Sequence, residues 1–205
     1  MARTMSRADP GSVAQITDPR AALLAAAVEI LQNEGAGALT VRSVSARAGC
    51  STTGVYTWFG GKNGLVDAIF IDGFARFGAA VDRVPERGDP LDRLLERAQA
   101  YRRWALANPT HYMVMFGKAV PDYEPSAEAM VTSLATYESL VRATARAIEA
   151  GRLGGEPNEV AHHLWAGIHG YVSLEVAGMN LGEGAAQRAR QYTLGLQLLV
   201  RGCMP

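Results

Sequence analysis

The prolines of this chain stand at the edges of apolar runs that repeat every three to four residues, not inside them. Proline lacks the N–H that a helix interior needs but fits a first turn. Asp18-Pro19, Asp89-Pro90 and Asn108-Pro109 therefore each read as a helix start, the Asp or Asn being able to cap exposed N–H groups. The first helix runs to about Glu34, with Leu24, Ala27, Val28 and Leu31 at i, i+3, i+4 and i+7 and a stop at Gly35 and Gly37. Thr40 caps a short helix, VRSVSARA, and Ser51 caps a second, TTGVYTWF. A long helix from Lys62 to about Val84 carries Leu65, Ile69, Phe70, Phe74, Phe77 and Val81 at helical spacing. Later helices are expected at 90–107, 109–118, 126–150, 157–179 and 184–203, separated by breaks such as GRLGGEP and NLGEG. Alternating β-branched patterns and hairpin dipeptides are missing, so the expected fold is all-α with about nine helices.

A chain of 205 residues, 48% hydrophobic and 20% charged, can bury one substantial core or two small ones. Its 20 Lys and Arg balance its 20 Asp and Glu, which argues against a basic coat that holds any nucleic acid indiscriminately. Residues 1–62 nevertheless carry six basic side chains against four acids. Cys50 and Cys203 form neither a CxxC nor a Cys/His cluster, so the expected compartment is reducing and no disulfide framework or zinc ribbon fits. No apolar run reaches the roughly 18 residues that span a bilayer, and the first fifteen residues lack a hydrophobic signal core. The expectation is a cytoplasmic protein without a membrane partner.

Residues 40–62, TVRSVSARAGCSTTGVYTWFGGK, have the layout of a helix-turn-helix: a short helix, a turn at Gly49, and a second helix exposing small polar residues and aromatics. A helix entering the major groove needs small hydrogen-bonding groups near its N-terminus, and Thr52, Thr53 and Thr57 supply hydroxyls and methyls to one face. Thr40 and Ser51 open two helix N-termini, whose N–H groups suit a phosphate. Arg42 and Lys62 add full charges, and Lys62 stands out because Lys118 is the only other lysine. Tyr56 and Trp58 read either as core aromatics or as DNA contacts, and their polar tips favour the second. Phe59 joins Val44, Ala48 and Val55 on the apolar side. Cys50 reads as a small buried hydrophobe, with a redox thiol as the alternative.

The stretch Ala48-Gly49-Cys50-Ser51-Thr52-Thr53-Gly54-Val55-Tyr56-Thr57-Trp58-Phe59-Gly60-Gly61-Lys62-Asn63-Gly64-Leu65 resembles the signature of the TetR family of bacterial transcriptional regulators, A-G-V-S-x-G-x-L-Y-x-H-F-x-x-K-x-x-L. Cys50, Thr53, Trp58 and Asn63 depart from it without removing a core or charge role. The resemblance implies that Tyr56, Trp58 and Lys62 touch the phosphate backbone while Thr52, Thr53 and Thr57 face bases. It also implies a homodimer joined through the last two helices. Trp165-Ala166-Gly167-Ile168-His169-Gly170 is similar to a Trp-x-Gly-x-His-Gly motif in the ligand-binding domain of one subgroup.

Beyond Asp89 the aromatic and Met residues suit either a filled core or an apolar pocket; Tyr101, Trp104, Met113, Phe116, Tyr137, Trp165 and His169 are the candidate ligand contacts. Mid-helix Gly167 and Gly170, with Gly178, point to close approach by another element or a bend. Tyr192, Leu196, Leu199, Val200 and Cys203 form a stripe expected to face a partner helix. His162, His163 and His169 lack a completing Cys or acidic trio, so no metal and no cofactor is expected. No GxSxG, P-loop, HExxH or dinucleotide fingerprint occurs, which weighs against an enzyme. The expected organisation is a flexible arm at 1–17, a three-helix helix-turn-helix domain at 18–64, and a ligand-binding and dimerisation domain at 65–205. The expected function is a repressor that binds a pseudo-palindromic operator in double-stranded DNA and is released by a small, mainly apolar effector. A ligand-independent DNA binder and a small helical enzyme are the alternatives.

Overall fold

The computed structural model of this chain describes residues 18–85, 87–179 and 184–205. The expected arm at 1–17 and most of the NLGEG break lie outside them. The described residues form nine α-helices and no strand: α1 (Pro19–Glu34), α2 (Val41–Ala48), α3 (Thr52–Phe59), α4 (Lys62–Asp82), α5 (Pro90–Ala107), α6 (Pro109–Phe116), α7 (Ala127–Glu149), α8 (Pro157–Val176) and α9 (Gly184–Arg201). A single 3-10 turn, Ala36–Ala38, follows α1 where only a glycine stop was expected.

Helix starts follow the capping chemistry. The side chains of Asp18, Asp89 and Ser126 accept backbone N–H groups at the starts of α1, α5 and α7, and proline occupies the first turn of α1, α5, α6 and α8. Asn108 departs from this pattern, since its side chain donates to the Trp104 carbonyl at 2.8 Å and so closes α5. Several helices end earlier than their apolar period. After α6 the N–H of Gly117 bonds Met113 O at 2.9 Å and Lys118 takes φ 49°, which leaves the helical region.

Two faces differ from the sequence reading. In α1 the fully buried positions are Leu23, Ala26, Ala27 and Ile30, while Leu24, Val28 and Leu31 pack at the margin. The helix is aliphatic nearly all round, so a period begun one residue earlier fits equally well and packing decides. In α9, Tyr192, Leu196 and Val200 are buried within the protomer, with the Tyr192 hydroxyl donating to Ala98 O at 2.7 Å. Leu199 lies against Gly167 of α8, and Cys203 is half-buried. That stripe therefore packs on this chain's own helices. Exposed apolar side chains stand elsewhere, at Tyr171 and Leu174 on α8 and at Leu194 and Leu198 on α9, Leu198 being 65% exposed. Gly170 has open space around it, and Gly178 takes φ 69° just past the end of α8, where a left-handed residue closes a helix.

Helix α4 organises the molecule. It touches α1 and α3 on one side and α5, α6 and α7 on the other. Leu65, Val66, Ile69, Phe70, Phe74, Phe77 and Val81 are all buried along it.

Candidate nucleic-acid interface and ligand cavity

Hydrogen bonds that the sequence only partly advertises fix the start of α2 and the turn between α2 and α3. Thr40 and Ser43 form a reciprocal capping box: Ser43 N–H donates to Thr40 Oγ1 and Thr40 N–H donates to Ser43 Oγ, both at 3.0 Å. Gly49 takes φ 65° and ψ 26°, the left-handed geometry that reverses the chain after α2. Buried Ser45 donates through Oγ to the Ser51 carbonyl at 3.3 Å, and Ser51 Oγ accepts the N–H of Gly54 at 3.3 Å. Cys50 is partly buried beside this turn. After α3, Gly60 and Gly61 take φ 70° and 130° and turn the chain into α4. A β-carbon at Gly64 would fall 1.8 Å from Phe59 O, so α3 and α4 approach as closely as only glycine permits.

That scaffold fixes what α3 presents. Val55 and Phe59 are buried, with the Arg20 guanidinium 5.4 Å from the Phe59 ring centroid. At about 100° per residue, Thr53 and Thr57 stand opposite this buried pair, with Thr52 and Tyr56 on one flank and Trp58 on the other. All five are exposed, Tyr56 at 59% and Trp58 at 51%. Thr40, Arg42 and Ser51 are exposed as well, and Lys62 is half-buried at the first position of α4. Arg42 and Lys62 have no carboxylate partner among the described residues, whereas Arg47 is taken up by Glu29 and Glu34. On α3 the small hydroxyls of Thr53 and Thr57 are thus central among the exposed side chains, with the aromatic Tyr56 and Trp58 at the edges.

Helices α4 to α8 line a cavity of about 530 Å³ that opens to solvent beside Met130, Leu134 and His162. Of the candidate ligand contacts, Tyr101, Phe116, Tyr137 and Trp165 line it. Three others do not. Trp104 packs edge-on behind Phe77, with ring centroids 5.4 Å apart. Met113 faces outward, because two residues along a helix turn a side chain by roughly 200°, and Met115 takes the inner position. His169 lies one turn beyond Trp165 and outside the lining, partly buried, with Nδ1 at 3.1 Å from Tyr101 Oη and 2.8 Å from Tyr112 Oη. Burial pushes its pKa below the ordinary value and pushes Tyr112 up to about 12, so the ring is neutral and available to accept a hydroxyl proton. His162 and His163 are exposed, and no group of three His, Cys, Asp or Glu among the described residues could hold a metal.

Phe70, Phe74 and Phe77, expected only as part of the apolar period of a long helix, also wall the cavity. Arg97 was missed. Its signal is positional, since it lies three residues after Leu94 on the stripe formed by Leu94, Ala98, Tyr101 and Ala105, a place where a charge is out of pattern. A second link ties the cavity rim to α4. Asp67 accepts the Tyr123 hydroxyl at 2.7 Å, the Ser126 N–H at 2.9 Å and the Ser126 hydroxyl at 2.6 Å. The start of α7 and the rim residue Pro125 are thereby anchored five residues from Lys62.

Comparison with known proteins agrees with this geometry. Residues 23–69 match the family model described as bacterial regulatory proteins, tetR family, and residues 94–199, more than half of the chain, match the tetracyclin repressor-like C-terminal domain. HTH-type transcriptional regulators of Mycobacterium bovis and Mycobacterium tuberculosis are 26% identical over 183 residues, covering 72% of this chain and 76% of each relative. Among solved structures, a protein of unknown function from Rhodococcus sp. RHA1 superposes with a TM-score of 0.81 at 27% identity, covering 95% of this chain and all of that one. A tetR-family regulatory protein from Rhodococcus RHA1 shares the fold, with a TM-score of 0.65 at 24% identity over 92% of this chain and all of that one. Among the described residues no helix is long and apolar enough to cross a membrane.

Proposed function

This chain belongs to the TetR family of bacterial regulatory proteins, and on that premise we propose that it is a homodimeric repressor released from its operator by a small, mainly apolar effector. It is a helix-turn-helix transcriptional regulator and not an enzyme, as its named relatives are regulators. The observation that carries the finer reading is α4, which starts three residues after the end of α3 and supplies Phe70, Phe74, Phe77 and Val81 to the cavity wall. Any molecule that fills the cavity presses on the helix that positions the DNA-reading surface.

A dimer joined by α8 and α9 carries two copies of α3, which read half-sites roughly 34 Å apart. Its support is the exposed apolar set Tyr171, Leu174, Leu194 and Leu198 on those two helices. The effector then acts by shifting the separation of the two recognition helices. The cavity favours this over a ligand-independent DNA binder, since about 530 Å³ falls within the usual range of small-molecule sites.

The test selects bound fragments from random duplexes with the purified protein, then titrates the selected operator with and without candidate effectors. A pseudo-palindromic site whose affinity falls on effector binding supports the reading. Reciprocity requires operator to weaken effector binding by the same factor, typically about 5- to 150-fold. Effector affinity identical with and without operator would show that the cavity does not regulate.

A further inference from the structure

One charge lies in a wall otherwise built largely from aromatic and aliphatic side chains. Arg97 on α5 is only 8% exposed and lines the cavity. Its Nη2 meets Ser139 Oγ at 2.8 Å and Asp82 Oδ1 at 2.7 Å, and Ser139 donates to the same Asp82 oxygen at 2.9 Å. The pair is unequal. Asp82 ends α4 and its side chain is 54% exposed, whereas that of Arg97 is 9% exposed. A buried guanidinium needs a counter-charge, but a half-solvated carboxylate loses little by returning to water. An anion held inside the cavity, less solvated than the Asp82 carboxylate, would be the better partner.

The cavity supplies partial shelter from water. Contacts between α4 and α7 ascend together, from Asp67 with Ser126, through Gly78 with Thr136, to Asp82 with Ser139. Arg97 therefore stands at the end far from the DNA-reading helices, and Phe70, Met115 and Phe116 stand toward the near end. The site is thus apolar along most of its length, with the Arg97–Asp82 pair at one end.

Resting on the effector reading above, we propose that the effector class is a monoanionic amphipath, a carboxylate on an aromatic or otherwise apolar body, whose anion takes the place of Asp82 on Arg97. The apolar body lies along the aromatic wall and the carboxylate receives the charge-assisted hydrogen bonds of the guanidinium. Binding frees Asp82, and with it the last turn of the helix that begins at Lys62.

The test uses the full chain and a matched pair of probes, naphthaleneacetate and naphthaleneethanol, which share an apolar body and differ in charge. Calorimetric titration of the wild type, Arg97→Gln and Asp82→Asn reads both affinities, with circular dichroism to confirm folding. Loss of Arg97 should weaken naphthaleneacetate about 10- to 100-fold and leave naphthaleneethanol unchanged. Asp82→Asn, at an exposed position, should strengthen naphthaleneacetate by about 2- to 5-fold, because it removes the competing carboxylate. If Arg97→Gln does not fold, the Asp82→Asn result decides alone. Binding of the alcohol without the acetate, or equal effects of either variant on both probes, overturns the anion assignment and leaves the effector cavity standing. Failure of both probes to bind the wild type rejects the cavity as an effector site, and the anion assignment with it.

Discussion

Leu199 occupies the space that a side chain on Gly167 would need: a β-carbon there would fall 2.5 Å from Leu199 Cδ1. The same arrangement recurs where Gly195 faces Tyr171, with a β-carbon 2.4 Å from the ring. Helices α8 and α9 interlock within one protomer through these two notches, and Leu194 and Leu198 are left on the outside.

Substitutions at neighbouring positions of α9 should therefore separate folding from assembly. Leu199→Glu places a charge against Gly167 inside the protomer and should lower stability by about 2–4 kcal/mol. Leu198→Glu should leave the protomer folded and split the dimer. Sedimentation with circular dichroism distinguishes them, and a folded Leu198→Glu dimer would move the interface off α9.

Gly64 sets the approach of α3 to α4. Gly64→Ala would bring a methyl group to 1.8 Å from Phe59 O, a backbone atom that cannot swing aside. Stability should fall by more than about 2 kcal/mol, and DNA affinity should fall further than stability explains, because the recognition helix is displaced. Unaltered operator binding by a stable variant would contradict this.

For the DNA surface, Lys62→Ala should reduce the slope of log affinity against log salt by about one unit. An unchanged slope would remove Lys62 from the phosphate contacts. Thr53→Ala, at the outermost point of α3, should alter preference at individual bases instead. Equal weakening on specific and random duplex would contradict base reading at that position.

Two histidines make stability depend on pH. Burial holds His111 and His169 below the ordinary value of 6.5, so the folded chain favours both rings neutral while the unfolded chain takes up protons near that value. Stability from these groups is complete above about pH 6.5 and declines as the pH falls below it. Urea midpoints measured from about pH 7.5 down to about pH 5.5 should fall, and His169→Gln should make the decline shallower. An identical pH dependence in that variant would mean that His169 does not contribute.

Helix existence was legible because caps and prolines act locally: Asp18, Ser51 and Asp89 cap where they stand in sequence. The helix-turn-helix was legible for the same reason, its geometry being set within about twenty residues. Burial phase was less so. In α1 an aliphatic helix offers two equivalent faces, and in α9 a period of apolar residues does not say whether they meet this chain or another. The cavity was read only in part. Tyr101, Phe116, Tyr137 and Trp165 fall in its wall, but the exchange of Met113 for Met115 and the placing of His169 behind the wall depend on how α6 and α8 are rotated. Those rotations come from contacts far apart in sequence.

Because α4 is common to both halves, the reader and the sensor cannot be transplanted at residue 64. Leu65, Val66 and Ile69 are buried in the first half of this helix, and Phe70, Phe74, Phe77 and Val81 follow into the cavity wall. A chimera cut after Gly64 would keep the close approach to Phe59 O but replace Leu65, Val66 and Ile69, the α4 residues buried next along the helix. A cut between Arg83 and Asp89 would keep those residues but carry four cavity residues along with the reader. On the proposed reading, DNA preference and effector chemistry are therefore linked, and a sensor exchanged at the second junction would keep part of the old cavity wall.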